Sequence, residues 1–284
     1  MLKILVSGST GQLGNELAVL AAQQNEFEFT FKSSNEFDLA SEKSIKDCLN
    51  QNFDVIINAG AYTKVDQAEQ EPELCYKVNA DALYHIGRLS KPSTKIIHIS
   101  SDYVYNSITD RPLVESDPTK PQGIYAKSKR DGEGNLLGLR PDSIVLRTSW
   151  VYSSFGHNFV KSMLRLGSER SELNIVADQI GAPTYARDLA STILLCLNAP
   201  NLSGIYNYAN SGKTHWADYA RVIFNLTGID CKVSEITTAE FNAPAPRPAW
   251  SVMDCSKIEK ALGIRIQSWE ESLKKCLLEL GYEL

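Results

Sequence analysis

Near its start the chain reads KILVSGSTGQLGNEL: an apolar stretch, glycines at positions 8, 11 and 14, then a helix-forming segment. No other feature restricts the fold as much. Glycine permits a tight turn, and without a Cβ the backbone can approach a pyrophosphate closely. The helix that follows would offer free N–H groups and the positive end of its dipole to those phosphates. A glycine cluster alone is also a plain strand-to-helix turn. The strand before Gly8 and the helix after Gly14 make dinucleotide binding the stronger reading.

The rest of the first half fits that start. Strand-like runs at 3–8, 28–32, 54–60, 95–101 and 143–150 alternate with amphipathic segments near 12–24, 41–51, 73–90 and 125–138. The runs are almost continuously apolar, as expected of parallel strands covered on both faces. Such alternation predicts an α/β, Rossmann-type doubly wound parallel sheet over residues 1–150. Beyond 150 the pattern loosens. It predicts a helix after the turn in GAPTYARDLASTILLCLNA, a strand in SGIYNYAN, a helix in THWADYARVIFNLTG, a proline-rich loop in EFNAPAPRPAWS and a final helix in SWEESLKKCLLEL. We read residues 151–284 as a smaller, mainly substrate-binding lobe, some of whose segments return to the first domain.

Composition removes several function classes. With 284 residues and a formal net charge of −5, the chain has no basic block that would favour nucleic acid or an anionic membrane. The six cysteines form no CxxC pair and the four histidines are isolated, so neither a disulfide framework nor a histidine metal site is expected. The opening MLKILVSGS has no leader-like pattern and no run is long enough to span a bilayer, so a cytoplasmic, reduced protein is expected.

The second strand ends in FKSSNEFDL. An acid about 20 residues past the glycine loop would hold an adenosine 2′-hydroxyl. Lys32 and Ser33 stand in that zone instead, and suit a 2′-phosphate. The expected cofactor is therefore NADPH, with NADH as the alternative.

Chemistry centres on YAKSK, where Tyr125 and Lys129 lie one helical turn apart. A free phenol, with its pKa near 10, resists proton transfer at neutral pH. A neighbouring ammonium would favour the phenolate. Ser101, at the C-terminal end of the fourth strand-like run, stands where open α/β sheets place their ligand crevice and would orient a substrate carbonyl.

The set Gly8, Gly11, Gly14, Ser101, Tyr125 and Lys129 resembles the extended short-chain dehydrogenase/reductases, which act mostly on nucleotide-activated sugars. The segments DQIGAPT and RTSWVY narrow the resemblance to the branch that reduces a 4-keto sugar nucleotide. It implies reduction of the C4 ketone of dTDP-4-dehydro-L-rhamnose to dTDP-L-rhamnose, for polysaccharide biosynthesis. It further implies that Tyr125 donates the proton, Lys129 lowers its pKa, and Ser101 holds the same oxygen. Asp102, Tyr103 and Trp150 would line the sugar pocket, and Asn158 and Arg247 would meet the diphosphate. Gln12 and Leu13 would join the glycines at the pyrophosphate, with Asp38 and Leu39 by the adenine and Gly60, Ala61 and Tyr62 along the cofactor. Some members of the family bind Mg2+ through glutamates at a dimer interface. Glu16 and Glu279 match two such positions, but Arg187 replaces a third, and an arginine repels a cation. No metal is expected, and the chain could be a monomer or a homodimer. Two alternatives stand beside this reading: a nucleotide-sugar epimerase or dehydratase of the same family, and a non-catalytic NADP-binding regulatory subunit.

Overall fold

The computed structural model describes residues 1–105 and 110–284. Six strands form one parallel sheet: β1 (Leu2–Ser7), β2 (Phe27–Lys32), β3 (Val55–Asn58), β4 (Lys95–Ser101), β5 (Ile144–Thr148) and β6 (Gly204–Tyr208). Their spatial order is β6-β5-β4-β3-β1-β2. The order reverses between β1 and β3, and the C-terminal ends of the strands there form the crevice in which such sheets bind ligands.

Side-chain alternation sends each strand's apolar residues to two separate cores. Ile4, Val6, Ile57, Ile97 and Leu146 pack on one face with Leu17, Leu189 and Ile258, from the helices Gln12–Ala21, Ala186–Leu197 and Ser256–Leu262. Leu5, Ile56, Ile96 and Val145 pack on the other with Ile45, Leu83, Ile86 and Leu136. These come from the helix Glu42–Leu49, the helical run 72–89 and the helix Gly123–Leu139. Each fully buried Leu or Ile contributes roughly 1.5–3 kcal/mol, so the sheet makes a stiff floor for the crevice. The run 72–89 widens by one residue at Lys77–Asp81, a π-type turn of a kind often found at functional sites.

A second lobe has its own core. Helices Phe159–Glu169, Trp216–Thr227 and Trp269–Glu279 bury Val160, Met163, Tyr219, Ile223, Leu273 and Leu277 against the parallel pair Glu172–Val176 and Lys232–Ile236. The chain after residue 150 is shared between the lobes: β6 and the helices Ala186–Leu197 and Ser256–Leu262 complete the large sheet layer. The run read as 143–150 is strand only to Thr148. Trp150 leaves it with φ 47°, a backbone rarely adopted by a bulky residue.

Candidate active site

The glycine turn is built without spare room. Gly8 has φ +69°, and a Cβ there would lie 2.7 Å from the backbone of Gly60. A Cβ on Gly14 would lie 2.2 Å from the Gly8 carbonyl oxygen. The turn thus locks β1, the loop after β3 and the first helix together. Gly11 caps that helix with no side-chain hydrogen bond, so the helix N-terminus stays open toward the crevice. This cradle fits a dinucleotide pyrophosphate.

The remaining residues expected along the cofactor are held as follows. Leu39 is buried beside Gly60, while Asp38 is exposed and accepts from the Ala40 N–H at 2.9 Å. Ala61 follows Gly60 in the loop fixed by Tyr62, whose N–H donates to Asn79 Oδ1 at 2.9 Å. Asn79 lies in the widened turn and returns a bond to the Tyr62 carbonyl at 3.1 Å. Lys32 and Ser33 both face Glu36. The Ser33 N–H and hydroxyl donate to it at 2.9 and 2.7 Å, and the Lys32 ammonium lies 3.8 Å away. These donors hold the Glu36 carboxyl below its usual range.

Ser101, Asp102, Tyr103, Tyr125 and Lys129 meet at the end of β4. Ser101 donates to Asp102 Oδ1 at 3.0 Å and accepts from the Tyr103 N–H at 3.3 Å. Burial pushes the Asp102 carboxyl up to about 6, against hydrogen bonds from Ser251 and Ser101. The Tyr103 and Tyr125 rings meet edge to face at 5.5 Å. Burial pushes the Tyr125 phenol up to about 12; Ser101's hydrogen bond opposes this and the Asp102 charge adds to it. Lys129, expected to lower this phenol, faces strand β4. Lys129 Nζ donates instead to the Ile99 carbonyl at 2.6 Å, and burial pushes its own pKa down to about 8.

A cavity of about 540 Å³ opens beside these residues. Tyr103, Trp150, Phe159, Trp216, Gln179 and Arg247 are among its lining. Trp150 stacks on Trp216 at 3.5 Å, and the Trp216 indole N–H donates to Gln179 at 3.0 Å. Stacking and close packing against Gly181 hold Trp150 in its strained backbone. Sequence reasoning missed Trp216 and Phe159, because no local pattern links residues 150, 159 and 216.

Two expected diphosphate contacts lie apart. Arg247 borders the cavity, but its guanidinium is clasped by both oxygens of Asp66, at 3.0 and 2.7 Å. Asn158 sits by the glycine turn. Its Oδ1 caps the helix Phe159–Glu169 by accepting from the Lys161 N–H, and its amide donates to Gln12 Oε1 at 3.0 Å and to the Ser153 carbonyl at 2.7 Å. These bonds tie the second lobe to the cofactor loop.

The residues matched to a metal site do not suit a cation. Arg187 Nε donates to the buried Glu16 at 2.7 Å, and its Nη1 donates to Glu279. Ser153 donates to the other Glu16 oxygen at 2.5 Å, and Tyr185 to the other Glu279 oxygen at 2.7 Å. A guanidinium thus stands between the two carboxylates, where a cation would have to sit, and offsets one of their two charges.

The sequence matches the family described as RmlD substrate binding domain over residues 2–281. It is 36% identical to the dTDP-4-dehydrorhamnose reductase of Sinorhizobium fredii, with 99% of each chain covered. Among solved structures it is similar to a dTDP-4-dehydrorhamnose reductase from Clostridium acetobutylicum, with TM-score 0.94 and 35% identity over 99% of this chain and 100% of that one. It is also similar to the Bacillus anthracis enzyme of that name in complex with NADP, with TM-score 0.92 and 34% identity over 98% and 99% of the two chains.

Proposed function

Because this chain belongs to the RmlD substrate binding domain family, we propose that it reduces the C4 ketone of dTDP-4-dehydro-L-rhamnose to dTDP-L-rhamnose, with NADPH as hydride donor. The observation that carries the reading is the meeting of Ser101, Tyr125 and Lys129 at the strand ends beside both the glycine cradle and the aromatic cavity.

Bound NADPH supplies the hydride, and the chain's own residues supply the rest. Ser101 donates a hydrogen bond to the ketone oxygen as negative charge grows there; such donors typically contribute about 10² to 10³-fold. A phenol raised to about 12 keeps its proton at neutral pH, so Tyr125 is poised as the acid that completes the alcohol. General acid catalysis typically contributes about 10² to 10⁴-fold. Lys129 as an ammonium steadies the phenolate left behind and binds the cofactor. Asp102, Tyr103 and Trp150 shape the sugar site, and Arg247 meets the diphosphate once it is released from Asp66.

Six free cysteines, five of them buried, suit a reducing cytoplasm. Among the described residues no helix is long and apolar enough to cross a membrane. We place the enzyme there as a monomer or homodimer that needs no Mg2+. The test is to mix the protein with NADPH and the keto sugar nucleotide and follow the nicotinamide absorbance. The reading expects absorbance to fall only when the sugar is present; no fall with that sugar would overturn it.

A further inference from the structure

On the face beneath the helix Gly123–Leu139, strands β1, β3 and β4 bury Leu5, Ile56 and Ile96. Two residues further along each strand stand Ser7, Asn58 and His98, exposed by 0%, 1% and 1%. Sheet register pairs Ser7 with Asn58 and Asn58 with His98, so the three make one polar row under the crevice. The reaction above uses none of them. Buried polar groups are costly unless hydrogen-bonded, and this row is bonded from end to end.

The row has a direction. Ser7 Oγ accepts from the Gly60 N–H at 3.1 Å, and its own hydrogen goes to Asn58 Oδ1 at 2.6 Å. Turning the amide round would leave that buried hydroxyl hydrogen unpaired, at a cost of about 1–3 kcal/mol. It would also put a nitrogen at a separation typical of O–H···O bonds. Asn58 therefore points its NH₂ at His98 Nδ1, 3.1 Å away. A neutral imidazole that accepts at one nitrogen carries its hydrogen on the other. Burial and the Lys129 charge push the His98 pKa well down, against a hydrogen bond with the Asn58 backbone, so the ring is neutral. It is thus an N–H, on Nε2, that faces Lys129 Nζ at 3.5 Å. An ammonium has only donors, whereas an amine has a lone pair to receive that N–H.

We infer that Ser7, Asn58 and His98 form a charge gate on Lys129: their hydrogen bonds disfavour the ammonium in the free enzyme, and Lys129 completes its charge with a proton from solvent when a dinucleotide fills the crevice. His98 is then a positioning residue for Lys129. The inference rests on the dinucleotide reading of the glycine cradle. The other groups facing Lys129 leave it standing. Glu133, on the same helix, is held by both prongs of Arg147 at 2.9 and 2.6 Å, which offsets its charge. The Cys75 thiol, from the run 72–89, is raised by burial. The Ile99 carbonyl, 2.6 Å from Nζ, accepts from an amine as well, but it bonds an ammonium more strongly and so opposes the gate.

The test is calorimetry of NADPH binding near pH 9 in two buffers of different ionisation enthalpy. The cofactor's phosphates, with a second pKa near 6, are fully ionised there. Wild type should take up most of one proton and Lys129→Met none. Asn58→Asp, which gives His98 an acceptor and reverses the row, should lose most of the uptake. Equal uptake by wild type and Lys129→Met, or wild-type uptake by Asn58→Asp, overturns the gate. A second readout needs no cofactor. An unfolded chain keeps the lysine proton up to about pH 10.4, whereas the folded chain releases it near 8. The unfolded state therefore binds more protons across that window, and wild-type stability should rise with pH relative to Lys129→Met. Parallel slopes would also overturn the gate. Failure of NADPH to bind would strike the dinucleotide reading and leave this second test in force.

Discussion

The crevice at the strand ends and the aromatic cavity beside it are made in opposite ways. In the crevice, polar groups are carried on a stiff parallel sheet and joined by short bonds: Ser101 to Asp102, Lys129 to Ile99, Ser7 to Asn58. In the cavity, rings from three distant segments lean on one another, Trp150 on Trp216 and Phe159 against both Trp216 and Tyr219. The first arrangement fixes atoms for proton transfer. The second offers area and tolerates adjustment. Chemistry should therefore fail sharply when the crevice is altered, while substrate affinity should fall gradually when the cavity is altered.

The largest effect should come from Tyr125→Phe, which removes the acid but keeps the ring. Turnover should fall about 10² to 10⁴-fold with NADPH affinity unchanged, as read by steady-state kinetics and cofactor titration. A turnover loss below tenfold would break the comparison at its strong end. Next comes the seam between the lobes. Arg187→Met leaves Glu16 buried and without its cation. Removing one partner of a buried pair costs about 3–5 kcal/mol, and a denaturant titration should approach the lower end, because Arg187 is partly exposed. Added Mg2+ should not restore the loss; restoration would mean that a cation site lies under the arginine.

Gly14→Ala should lower both stability and cofactor affinity. A methyl 2.2 Å from the Gly8 oxygen forces the turn to shift. Overpacking typically costs about 1–3 kcal/mol of stability, which a denaturant titration reads, and NADPH should bind more weakly to the shifted turn. The smallest effect should be that of Trp216→Ala. An aromatic pair contributes about 0.5–1.5 kcal/mol beyond its area, so KM for the sugar nucleotide should rise about two- to tenfold and kcat should change little. If kcat fell as far as in Tyr125→Phe, the cavity would be part of the chemistry and the division between the regions would fail.

The same division explains what could be read in the sequence. The sheet was legible because strand and helix periods are local, and Gly8, Gly11 and Gly14 sit inside one strand–turn–helix unit. Ser101, Tyr125 and Lys129 were legible because a strand end and one helical turn set their places. The cavity was not, since Trp150, Phe159 and Trp216 are brought together only by tertiary packing. Nor did the sequence show that Asp66 holds Arg247, or that Asn158 serves as a helix cap. The polar row left a faint trace. In β1, β3 and β4 the apolar run breaks at Ser7, Asn58 and His98, but only the register shows that the three breaks coincide.

The most direct test of the account follows the hydride itself. The enzyme is given NADPH deuterated at both C4 positions together with dTDP-4-dehydro-L-rhamnose, and the product is read by NMR. The account predicts one deuterium per sugar, bound at C4, with NADP formed in equal amount. Product without deuterium at C4, or a rearranged sugar with the cofactor still reduced, would contradict it.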